Sequence, residues 1–119
     1  MDQQAAKILR NLQNEEAFYF YENVGKPTGE CAKSLSEFLN KVNTATMESL
    51  QFHLERGDFQ NWIKDTLGDV KLADMIGRIA PANNEKLRIK IREILGNRLS
   101  ELKDAFIRIE VGEELAVTR

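Results

Sequence analysis

Residues 34–79, SLSEFLNKVNTATMESLQFHLERGDFQNWIKDTLGDVKLADMIGRI, decide the fold, because they carry four helix starts and two glycine stops in succession. Ser34 followed by Glu37 is a capping box, in which the hydroxyl and the carboxylate each satisfy a backbone N–H that a helix end leaves unpaired. Behind it Leu35, Phe38, Leu39 and Val42 fall on one apolar stripe. Thr46 is placed to cap the next helix, where Met47, Leu50 and Leu54 share a face and Phe52 points nearly the opposite way. The Gly-Asp step then occurs twice, at 57–58 and at 68–69. Each reads as a stop followed by a start, the glycine ending one helix in the left-handed conformation and the aspartate capping the next. Phe59, Trp62, Ile63 and Leu67 line the first of these helices, and Leu72, Met75, Ile76 and Ile79 the second.

Outward from this block the signals change. Upstream, Ala5, Ile8, Leu9 and Leu12 give a helical spacing over Asp2 to Gln13. Ala17-Phe18-Tyr19-Phe20-Tyr21 is aromatic and strand-like, Gly25, Pro27 and Gly29 read as a loop, and Glu30 to Lys33 as a short returning strand. Such a hairpin is marginal alone and has to pack on helices. Downstream, Pro81 and Asn83-Asn84 separate the block from the longest helix, about 85–110. Its stripe runs Ile91, Leu95, Leu99, Leu102, Phe106 and Ile109. That stripe suits sealing the domain and also suits a seam with a second copy of the chain. The expectation is a mainly α fold: one domain over 1–119, a bundle of five or six helices with a short N-terminal hairpin and a long C-terminal helix.

Composition bounds the function. With 119 residues, a formal charge of −2 and 30% charged residues, the chain is ordinary for a globular domain and has no overall electrostatic drive toward nucleic acid. Cys31 is the only cysteine and forms no internal disulfide, which suits a reducing compartment. The N-terminus lacks a signal-peptide pattern, and the longest apolar run, Ala17 to Tyr21, is far short of the roughly 20 residues of a membrane span. A cytoplasmic location without membrane insertion is therefore expected. One histidine and one cysteine argue against a zinc site, the carboxylates lack calcium-loop spacing, and Gly25-Lys26-Pro27-Thr28-Gly29 lacks the ending of a phosphate loop. No cofactor and no metal ligand is expected.

Two constellations stand out. The first is His53, Arg56, Asp58 and Trp62, where imidazole and guanidinium could grip a carboxylate or other anion beside an aromatic platform. The same residues also suit plain architecture, with Asp58 as an N-cap, His53 and Arg56 tying a helix end to the corner, and Trp62 in the core. The second is Lys86, Arg88, Lys90 and Arg92, within a stretch from Arg78 to Lys103 that holds seven basic and three acidic residues. It suits a phosphate backbone, or a solvated face laced with Glu–Lys and Glu–Arg pairs.

The pattern Phe18-Tyr19-Phe20-Tyr21, Ser34-Leu35-Ser36-Glu37-Phe38-Leu39, His53, Asp58-Phe59-Gln60-Asn61-Trp62-Ile63 and Leu67-Gly68-Asp69-Val70-Lys71-Leu72-Ala73 resembles an uncharacterised family of small archaeal and bacterial domains of unknown function. The resemblance covers residues 18–79. It implies a compact module that stands alone or is joined to other segments, and it carries no catalytic residue across. The leading expectation is a non-catalytic protein-interaction module that binds another protein or itself. The alternatives are a nucleic-acid accessory protein using the basic helix, and a small ligand-binding domain or enzyme centred on His53.

Overall fold

The computed structural model describes the backbone of residues 2–118 and the side chains of residues 4–107. In chain order the elements are α1 (Asp2–Leu9), β1 (Phe18–Asn23), β2 (Lys26–Ala32), α2 (Leu35–Thr44), α3 (Met47–Arg56), α4 (Asp58–Trp62), α5 (Val70–Gly77) and α6 (Glu85–Thr118). Among the described residues the fold is mainly α, with six α-helices, the last of them long, and one two-stranded antiparallel hairpin.

The local signals act where the sequence puts them. Ser34 Oγ accepts from the Glu37 N–H at 3.1 Å, while the Glu37 carboxylate accepts from the Lys33 N–H at 2.8 Å. Thr46 caps α3 through the Ser49 N–H, and Asp69 caps α5 through the Leu72 N–H. Gly57 and Gly68 hold φ of 79° and 87°, the left-handed region where a side chain costs energy.

Four expectations need correction. α1 ends at Leu9, not Gln13, because the Arg10 guanidinium takes the Lys7 carbonyl and the chain then runs on so that the Leu12 N–H donates to the Lys33 carbonyl at 2.7 Å. Leu12 is still buried, reached by an extended hook instead of a helical turn. β2 begins at Lys26, leaving only Val24 and Gly25 in the turn. Pairing steps from Tyr19↔Cys31 to Tyr21↔Pro27, so β2 spends two more residues than β1, and Gly29 at φ 87° absorbs the bulge. The helix that starts at Asp58 is α only to Trp62 and continues as a π turn over Ile63–Leu67, its end closed by the Gly68 and Asp69 N–H groups on the Ile63 carbonyl. Asp58 is the first residue of α4 and not its cap, a position that Gly57 takes.

The core is one cluster running from Ile8 of α1 through the aromatics of β1 to Leu102 of α6. Phe18 sits among Phe38, Phe59 and Trp62 at ring-centroid distances of 5.3–5.5 Å. The expected α6 stripe is buried at Ile91, Leu95, Leu99 and Leu102, and emerges at Phe106; the side chain of Ile109 lies outside the described residues. No described helix is long and apolar enough to cross a membrane.

A buried ion pair joins the second Gly-Asp corner to α6. Asp69 is 2% exposed and meets Arg98 with both carboxylate oxygens, Nε to Oδ2 at 2.8 Å and Nη2 to Oδ1 at 3.2 Å. One side chain thus caps α5 and neutralises a half-buried cation. Asp69→Ala removes the cap and leaves Arg98 with only the exposed Glu101 as partner, so chemical denaturation should show a loss of about 3 kcal/mol. A loss below about 1 kcal/mol would mean that the corner holds without it.

Candidate functional site

The His53 corner forms because the Gly57 reversal folds residue 58 back onto residue 53. His53 lies on the buried face of α3 and is 3% exposed. Its Nε2 accepts from the Tyr21 backbone N–H at 2.8 Å, so its Nδ1 carries the proton and donates to Asp58 Oδ2 at 2.8 Å. The imidazole therefore bridges the outer edge of β1 and the start of α4. Arg56 Nε donates to the same Asp58 oxygen at 3.0 Å, while its guanidinium lies 4.9 Å from the centre of the Phe52 ring. Burial pushes the His53 pKa below its ordinary 6.5, outweighing the opposing pull of Asp58.

This network explains why Asp58 is not a cap: its carboxylate is recruited by His53 and Arg56. It also leaves neither ring nitrogen of His53 free to take a substrate proton. Cys31 lines a separate surface with Lys33 and Asn40, away from this histidine. Among the described residues no group of three or more His, Cys, Asp or Glu side chains is placed to hold a metal ion.

Beside the network is an open hollow of about 380 Å³. β1 alternates, so Phe18 and Phe20 enter the core while Tyr19 and Tyr21 line the hollow. The hairpin tip adds Val24, α3 adds Phe52 and Arg56, and α4 adds Asn61. Of the expected site residues, His53, Arg56 and Asp58 meet here. Trp62 does not: it is 8% exposed, buried among Phe18 and Phe38, and its indole N–H donates to the Glu16 carbonyl at 2.8 Å.

No family model, curated protein or solved structure matches this chain.

The basic constellation divides in two. Arg88 is turned inward, its Nη1 donating to the Val42 and Ala45 carbonyls at 2.7 and 2.6 Å and its Nε pairing with Glu85. It serves the C-terminal end of α2, whose last carbonyls lack helical partners. Lys86, Lys90 and Arg92 remain exposed. Downstream, Arg98 is committed to Asp69 and Glu101.

The lining residues absent from the expected site include Tyr19, Tyr21, Val24, Phe52 and Asn61. The Phe/Tyr alternation of β1 was the available signal, since the tyrosines carry a hydroxyl that favours a wet face.

The low His53 pKa has a consequence for stability. The unfolded chain binds a proton at His53 near pH 6.5, whereas the folded chain resists it to lower pH, so protons favour the unfolded state in between. Stability should fall as pH drops through about 6.5 and level off below the folded pKa. Denaturation midpoints of wild type and His53→Gln check this: the fall in that window should be missing from the variant, and equal slopes would refute it.

Proposed function

We propose that this protein is a non-catalytic interaction module that recognises a partner protein through the hollow between the hairpin tip and the α3–α4 corner. The observation that carries the reading is the contrast between floor and rim. His53 and Asp58 are locked together at the floor, and the rim holds Tyr19 and Val24, 47% and 77% exposed, with Arg56 beside them. Tyrosine and arginine supply much of the energy at protein interfaces, and a rigid floor lowers the entropy lost when a partner docks. The same lock argues against His53 as a general base. The inward commitment of Arg88 weakens the nucleic-acid alternative, which rests on Lys86, Lys90 and Arg92. A second copy of the chain is the alternative partner, favoured by Phe106 and Ile107 at 39% and 55% exposure where α6 leaves the bundle.

The test is capture from native extract with wild type beside a Val24→Asp, Arg56→Ala double variant. Both side chains are surface groups, 77% and 53% exposed, so the variant should melt close to wild type. A partner held by wild type should bind the variant about 30-fold more weakly, the loss of roughly 2 kcal/mol typical of a central contact. Identical catches from both proteins refute the hollow as the recognition surface, and capture of the chain itself by both points to α6.

A further inference from the structure

A second hollow, about 400 Å³, lies between the hairpin and the α2–α3 junction, on the face of β1 that carries Phe20 and Glu22. It is independent of the first, and its hydrogen bonding is lopsided. Thr28 Oγ1 spends its proton on the Phe20 carbonyl at 3.0 Å, Thr46 on Glu22 Oε2 at 2.9 Å, and Thr44 on the Lys41 carbonyl at 3.5 Å. The Lys41 ammonium is engaged by Glu30. Glu22 likewise pairs with Lys26 at 3.3 Å, so each carboxylate already faces one lysine, and the acceptor capacity of the hollow lies in the remaining lone pairs of Glu22 and Glu30 and in one further oxygen.

That oxygen is Ser49 Oγ. Ser49 is 0% exposed, lines the hollow from the first turn of α3, and its hydroxyl has no hydrogen-bond partner. Among the described residues only Gln60 Oε1 shares that condition. A buried hydroxyl without a partner is costly, so an external group that completes it binds with a ready advantage. The remaining lining is apolar, from Phe20, Pro27 and Ala45.

We propose that this hollow binds a small alkylammonium group, its charge set against Glu22, one N–H donated to Ser49 Oγ, and its alkyl chain laid on Phe20, Pro27 and Ala45. An ammonium can use the lone pairs that Lys26 and Lys41 leave on the two carboxylates, whereas an anion would have to displace those lysines from them and a neutral hydroxyl forgoes the charge-assisted bond. Thr46 first, and Lys26 second, hold the Glu22 carboxyl below the usual carboxylate range, so it presents a full negative charge at neutral pH.

The experiment is a titration followed by amide NMR, using n-butylammonium chloride, with n-butanol and sodium butyrate as controls at matched ionic strength. Nα-acetyl-lysine amide in a parallel arm separates a free amine from a lysine side chain as the source of the group. The amides of Glu30, Thr46 and Ser49 should shift saturably with a dissociation constant on the order of 1 mM for the amine. Glu22→Gln should weaken that binding about tenfold, the effect of one charge-assisted hydrogen bond. Ser49→Ala should weaken it as well, while melting no lower than wild type, because it deletes a hydroxyl that has no internal partner. Shifts that do not saturate, equal shifts with butanol, or a clear drop in melting temperature for Ser49→Ala would each overturn the proposal.

Discussion

One imidazole holds the hairpin to the helices. A two-stranded sheet has two open edges and too little buried surface to persist alone. Here the outer edge of β1 is closed at Tyr21 by the Nε2 of His53, and the other nitrogen of the same ring is fixed by Asp58. The ring therefore supplies what a third strand would supply, an acceptor for an edge N–H, while it packs against Phe18 at 4.8 Å and Phe59 at 5.4 Å between ring centroids. Both the position of the hairpin tip and the shape of the hollow beside it follow from this bridge. Protonating the ring would destroy the acceptor, which is why burial in an aromatic setting and a depressed pKa belong to the same design.

Other long-range polar ties repeat the theme. The Trp62 indole takes the Glu16 carbonyl, Arg10 takes the Thr66 carbonyl, Arg88 takes the last carbonyls of α2, and Arg98 takes Asp69. Each satisfies a backbone or carboxylate group at the end of an element, where regular structure leaves orphans. Short helices joined by tight corners have many such ends. A chain whose α4 is only five residues long depends on side chains to finish what helical hydrogen bonding cannot.

This division also explains what was legible in the sequence. Ser34, Thr46, Gly57, Gly68 and Asp69 act on neighbours within a few residues, so their roles follow from spacing alone. The apolar stripes likewise placed Phe38, Leu50, Phe59, Ile76 and Leu95 in the core. Partners 32 or 46 residues apart follow no spacing rule: the His53–Tyr21 contact, the Trp62–Glu16 contact and the inward turn of Arg88 depend on how the elements dock. The capture of Asp58 by His53 lies between these cases, five residues apart but across a reversal. The β2 bulge was hidden because Pro27 and Gly29 read as loop residues, and in a lone hairpin an edge strand accommodates both. The candidate site was half visible. Its charged floor stood out as unusual residue types, whereas its aromatic rim needed the alternation of β1 and the position of the hairpin tip.

The most direct test of this account is the tautomer and titration of His53 by long-range ¹H–¹⁵N NMR. The bridge requires a neutral ring at pH 7 with the proton on Nδ1 and a pKa below the ordinary 6.5. An Nε2–H tautomer, or a ring that is protonated at pH 7, would mean that Tyr21 does not donate to the ring and that the hairpin is held by something else.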